Sequence, residues 1–271
     1  MLYHYTKLNA LTSILNTQQF RLTKITDFDD CDEFFYTLSL LCKELEIDFA
    51  DCNKLVSEIE KINNLIFVGC FCSDGDSPHH WKEYGKFNIE FSKRVLMRMV
   101  HYQQRSYGWI SAHSNYISCE YCSKSHRTKI KGAIRQWKNG NGYSIPVDAL
   151  SHLATFFKKS EFCPEQETRL VLYLKNGAPI KKMKVDSTEK EFWLLPFRTN
   201  DRDQPIKSIT IGPNCQPEDV ASLRVFLLEN NLGDVAIKYS KIPKEEFAKF
   251  LSADQHISCQ NCELSLLAPH E

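Results

Sequence analysis

The sequence predicts an α+β fold: a mixed β-sheet with peripheral helices. Three observations carry that expectation. Short apolar runs with strand-like alternation are interspersed along the chain with stretches of helical spacing, instead of being segregated into halves. The clearest unit, residues 206–211, 217–230 and 235–239, reads strand–helix–strand. It lacks a G-x-G-x-x-G fingerprint, so it is not read as half of a dinucleotide-binding Rossmann domain. The strands are also short, which suits a mixed sheet better than a doubly wound parallel one.

Each element follows from its local pattern. Leu2–Thr6 reads as a strand, and Leu8, Leu11, Ile14 and Leu15 then recur at helical spacing. Residues 20–23 are extended. An acidic turn follows, with Asp29, Asp30 and Glu33, and residues 34–63 read as mostly helical. Residues 66–71 form an apolar strand. Ser77-Pro78 is a helix start, with serine at the cap and proline where no amide donor is needed, and Gly85 ends the helix over 79–84. Phe87, Ile89 and Phe91 alternate as a strand, and Ser92 caps a helix over 93–102. The stretch 103–150 has the weakest pattern and reads as a helical, basic insertion. Residues 153–158 are helical, and a polar tail, helical at first, runs over 244–271. The expected organisation is one domain over 1–243 followed by that tail.

Composition narrows the function classes. Lys plus Arg equals Asp plus Glu, 34 against 34, so no overall field draws the protein to nucleic acid or to an anionic membrane. No stretch reaches the ~20 apolar residues of a membrane span; the apolar run at 65–72 is broken by Ser73 and Asp74. The start, MLYHYTKLNA, lacks the basic-then-apolar order of a secretory signal, and the chain reads as cytoplasmic. Its 11 cysteines are a high count, but the number is odd and the protein is too large to need disulfide staples. Two C-x-x-C pairs, Cys119–Cys122 and Cys259–Cys262, have zinc-knuckle spacing. The roughly 140 residues between them lie far outside the compact zinc-ribbon pattern, so reduced, core-filling thiols are expected and no metal.

Four polar clusters stand at strand ends or turns: Tyr3-His4-Tyr5-Thr6, the acidic turn, His80-Trp81 with Tyr84-Gly85, and Glu165-x-Glu167-x-Arg169. In the last, an extended chain projects Glu165, Glu167 and Arg169 to one face and Leu170, Leu172 and Leu174 to the other. The plain reading is a strand with one face in water. The sharper one is a pair of carboxylates on a rigid platform, oriented by an arginine. Residues 124–138 carry Lys124, Arg127, Lys129, Lys131, Arg135 and Lys138 with no acid, and Trp137 and Tyr143 lie near, a composition that can hold nucleic acid as well as form a solvated face.

In their order, these clusters resemble a bacterial domain-of-unknown-function family: Y-H-Y-T at the start, an acidic Asp-x-x-Glu turn, a C-F strand leading to W-x-x-Y-G, E-x-E-x-R before an apolar strand, then I-x-I-G-P at 209–213 and S-x-I-P at 240–243. The resemblance covers most of residues 2–243. It departs in the acidic turn, where Asp29-Asp30-Cys31 stands for Asn-Asp-Pro, and in Cys72, which interrupts C-F-S. That family is placed beside the ADP-ribosyltransferases, and the resemblance implies their split mixed sheet clamping NAD. It implies that His4, with Tyr5 and Thr6, contacts the adenosine-side ribose or the nicotinamide amide. Trp81 or Tyr84 packs on the nicotinamide ring, Glu167 is the catalytic glutamate, Glu165 serves the acceptor as a base, and Arg169 pairs with an acid or meets the diphosphate. The implied partners are NAD, which is either hydrolysed or used to modify a macromolecular acceptor met through residues 124–138, and an antitoxin if the protein is a toxin or phage-defence effector. A non-catalytic module binding nucleic acid or protein on the same fold is the alternative, and a zinc-stabilised interaction protein a third.

Overall fold

The computed structural model describes residues 1–28, 65–139, 155–185, 187–197 and 205–253, with residues 36, 37, 39, 40, 43, 44 and 153 besides. The acidic turn at Asp29, Asp30 and Glu33, most of the helix expected over 34–63, Tyr143, the Cys259–Cys262 pair and the end of the tail lie outside them, as do the side chains of Arg135, Trp137 and Lys138.

The described residues form a mixed α+β structure around a large, mostly antiparallel open sheet. The strands are β1 (Leu2–Thr6), β2 (Gln19–Lys24), β3 (Ile66–Cys72), β4 (Phe87–Phe91), β5 (Asn115–Ser118), β6 (Glu167–Tyr173), β7 (Lys181–Val185), β8 (Thr188–Pro196), β9 (Ile206–Ile211) and β10 (Ala236–Tyr239). The helices are α1 (Leu8–Thr17), α2 (Pro78–Glu83), α3 (Lys93–Tyr107), α4 (Ser123–Asn139), α5 (Pro217–Glu229) and α6 (Lys244–Ser252). Strand order is β10-β9-β4-β1-β3-β2-β8-β7, with β6 on β3 and β5 on β6. Among the described strands only β9 and β10 pair in parallel, as a strand–helix–strand crossover requires.

The helix boundaries have local causes. Ser77 Oγ accepts the His80 amide at the start of α2, and Ser92 Oγ accepts the Val95 amide at the start of α3. α3 runs on to Tyr107, past the expected 102, because no breaker intervenes until Gly108 takes a left-handed φ of 70°. Gly85 ends α2 with φ 144°, and a Cβ there would stand 2.3 Å from the Thr6 carbonyl oxygen, so the chain passes β1 closely only as glycine.

One face of the sheet packs its main core, in which Leu11, Leu15, Phe67, Leu96, Leu170 and Leu172 are fully buried. The opposite face of β6 is covered too: Val171 packs with Ile25, Ile66 and Val68. β6 is therefore buried on both faces, not washed by solvent on one. The hairpin β7–β8 and the strand β5 have no counterpart in the sequence expectations.

The sheet divides at β3. β6 lines one side of β3 over all seven residues. The other side is shared: β1 pairs at Cys72 and β2 at Phe67 and Val68. Between the two, the ladder is replaced by a side chain, with His4 Nδ1 3.2 Å from the Cys70 carbonyl oxygen. That opening positions the site.

Candidate functional site

A cavity of about 390 Å³ lies at the division of the sheet, within the ~300–1,000 Å³ typical of small-molecule sites. Its walls are aromatic (Tyr3, Phe28, Phe71, Phe162) and its polar end carries Glu165, Glu167, Lys158 and Arg169. A second cavity of about 530 Å³ adjoins it and shares His4, Phe28 and Cys70.

Of the residues expected from sequence, His4, Tyr5, Tyr84, Glu165, Glu167 and Arg169 line the first cavity. Thr6 and Trp81 are not among its lining residues. Trp81 is buried with Tyr5, Cys72 and Phe247, its Nε1 donates to Asp76 Oδ1 at 2.8 Å, and its ring lies against Gly212, whose lack of a side chain admits it. Thr6 is buried beneath Gly85. Both act in packing α2 onto the sheet. Tyr5 shares that role, since its hydroxyl donates to the Asp74 carbonyl and accepts the Ser77 amide.

Glu165 does not stand on the strand. Pro164 and a left-handed Gln166 (φ 41°) hold residues Ser160–Glu165 in a 3-10 turn, and β6 begins only at Glu167. The expected alternation of Glu165 with Glu167 therefore fails, but the two carboxylates meet all the same. Lys158 Nζ lies 2.5 Å from Glu165 Oε2 and 2.7 Å from Glu167 Oε2. Arg169 grips Glu167 in a fork, Nε to Oε1 at 2.8 Å and Nη2 to Oε2 at 3.1 Å, and donates through Nη1 to the Thr155 carbonyl. Two acids and two bases thus form a neutral group. Such a group survives burial because each charge has a partner at bonding distance; an unpaired one would cost several kcal/mol.

The two glutamates differ in what they have left to offer. Burial opposes ionisation of Glu167, but Arg169 and Lys158 outweigh it and hold the carboxyl well below its ordinary range. Its oxygens also accept the Cys70 thiol, so its ~4 acceptor positions are taken. Glu165 receives Lys158 and the Tyr84 hydroxyl (2.8 Å) and keeps room for more donors. Glu167 supplies a fixed charge; Glu165 can reach a ligand.

The two histidines that line the cavity, His4 and His80, are neutral. Burial pulls His4 down to about 4 against its bond to the Cys70 carbonyl, which fixes the proton on Nδ1 and leaves Nε2 an acceptor. His80 falls to about 4 by burial and the neighbouring His79; it contacts Ser77 Oγ at 3.0 Å and bonds the Glu165 backbone, tying α2 to the turn. The thiol of Cys72 is pushed up to about 12 by burial, so its 3.8 Å approach to His80 does not make it a nucleophile.

Sequence reasoning missed Lys158, which follows an apolar stretch as half of a Lys-Lys pair with no periodic signal. The one usable hint is chemical: two carboxylates buried together need more than one cation, and Arg169 is only one. Elsewhere, Lys124, Arg127, Lys129 and Lys131 of α4 are exposed, but Arg127 and Lys131 reach Glu44 and Lys129 reaches Glu120. Among the described residues no cluster of three or more His, Cys, Asp or Glu could hold a metal ion, and no helix is long and apolar enough to cross a membrane.

No protein-family model, curated protein or solved structure matches the chain. The cavity and its side chains are therefore what bears on function.

Proposed function

We propose that the chain is an ADP-ribosyltransferase-like enzyme that cleaves the nicotinamide–ribose bond of NAD and passes ADP-ribose to a macromolecular acceptor. One observation carries this reading: two carboxylates are fixed side by side at the end of an aromatic-walled cavity, where the sheet divides. Breaking a bond from ribose to a cationic ring develops positive charge on the sugar, as in glycoside cleavage. A carboxylate that cannot be protonated at physiological pH stabilises that charge without reorganising. Glu167 meets this requirement. Glu165, with acceptor capacity to spare, is placed to take hydrogen bonds from the ribose hydroxyls or the acceptor. The flat rings of Tyr84 and Phe162 offer faces for the leaving heterocycle. The adjoining cavity beyond His4 gives an extended, two-ringed ligand somewhere to place its second half.

The test is release of nicotinamide from NAD by the purified protein. Glu165→Gln and Glu167→Gln are each expected to lose on the order of 10²–10³ in rate. Undiminished release from both variants would refute the roles given to these carboxylates. The rival reading, a non-catalytic module binding nucleic acid through α4, draws less support, because Glu44 and Glu120 already pair with Arg127, Lys131 and Lys129. Its signature is salt-sensitive RNA or DNA binding with no NAD turnover.

A further inference from the structure

Glu167 and Arg169 form a complete pair on a single strand: a bidentate fork, two positions apart on β6. Glu165 arrives from a different element, the 3-10 turn, and nothing in β6 itself would bring it there. The link is Lys158. Its backbone amide is fixed on the Glu120 carbonyl at 2.9 Å, and its side chain runs inward until the residue is only 3% exposed. The ammonium lies 5.0 Å from the centre of the Phe162 ring and bonds one oxygen of each glutamate. Arg169 aims its donors at Glu167 and the Thr155 carbonyl, so it does not replace Lys158 at Glu165.

We propose that Lys158 is the positioning residue of this site: its ammonium draws Glu165 from the turn against Glu167 on β6 and sets the spacing of the paired carboxylates that a ligand meets. The proposal rests on the reading of this cavity as the working site, but Lys158 can be tested without any substrate. Taking the ammonium away leaves two carboxylates facing each other with one committed cation. Like charges that close favour uptake of a proton by one of them. The other titratable groups at the pair are His79 and His80 of α2, Tyr84 at its end, Cys70 and Cys72 of β3, and Tyr121, whose hydroxyl accepts the Glu167 amide. Burial moves His80 down to about 4, Cys72 up to about 12, and Cys70 and both tyrosines well up, all away from neutrality. His79, also lowered by burial, feels the Glu165 charge, so all four proteins compared carry His79→Gln, which removes its titration from the comparison.

The experiment is thermal unfolding of the full chain between pH 8 and pH 5.5 in the His79→Gln background: that parent, Lys158→Met, Lys158→Arg and the double variant Lys158→Met/Glu165→Gln. In Lys158→Met the folded state binds more protons than the unfolded one, so stability rises as pH falls. A gain in Tm of about 3 °C or more over that interval is expected. The double variant restores the charge balance and loses this gain, and Lys158→Arg keeps the parent profile. Equal pH slopes for Lys158→Met and the double variant would overturn the proposal and reduce Lys158 to packing. If Lys158→Met does not fold, a folded double variant supports the proposal, and failure of both overturns it. Nicotinamide release is a separate readout: its absence from wild type counts against the NAD reading and leaves the role of Lys158 to be decided by the melting profiles alone.

Discussion

Two buried carboxylates, Glu167 on β6 and Glu90 on β4, show how differently one sheet can treat the same group. Each is held below its ordinary range against the opposing effect of burial. Glu90 is met by the Ser208 hydroxyl and by Lys238 at 2.7 Å. Lys238 comes from β10, the outer strand, and its side chain is 56% exposed. The cations on Glu167 are 3% and 4% exposed, and the carboxylate faces a cavity. Water can replace Lys238 but not Arg169. A charge propped from the sheet edge is a structural convenience. A charge enclosed with its counter-ions at the wall of a cavity stays fixed whatever the cavity holds.

The largest expected effect breaks or keeps this contrast directly. Arg169→Met strands a buried carboxylate and should cost about 3–5 kcal/mol in urea unfolding. Comparable losses from Arg169→Met and from Lys238→Met would erase the distinction.

Next comes pH. His4 and His80, both on the cavity side, are buried neutral, with folded values of about 4 against 6.5 in a free side chain. The unfolded chain binds protons that the folded one refuses, so stability should fall as pH drops from about 6.5 towards about 4. The lowered Glu167 adds its own loss only below the unfolded carboxyl value of about 4.3. Melting temperatures across this range, with a His4→Gln/His80→Gln variant flattening the upper part, check the assignment.

A smaller effect sharpens the picture. Ser77→Ala removes the cap of α2, which carries His80 and Tyr84 to the cavity, and should cost about 1 kcal/mol. Smallest of all, Lys238→Met should cost less than about 1 kcal/mol, the range of exposed ion pairs.

Much of this fold was legible in the sequence where one side of an element is apolar and its ends carry a chemical marker. α1, α2 with its Ser77-Pro78 start and Gly85 stop, β3, β9 and α5 are of this kind. The hairpin β7–β8 was not. Lys182 and Lys184 face Glu191 and Glu189 across it, and only Trp193 and Leu195 on β8 are buried, so charge masks the alternation. Its turn hides too, because Ser187 takes φ 73° where glycine would have announced it. At the site, the E-x-E spacing points to two carboxylates that do meet, but for an incomplete reason. Glu165 and Glu167 meet through Lys158, not through strand alternation, and a contact closed by a side chain from a separate segment leaves no local period to read.

The decisive measurement is nicotinamide release from NAD by wild type, Glu165→Gln and Glu90→Gln side by side. Paired carboxylates at a working site predict release by wild type and by Glu90→Gln, and a loss on the order of 10² or more in Glu165→Gln. No release from wild type at saturating NAD with no binding of the dinucleotide, or equal release from all three proteins, would contradict that prediction.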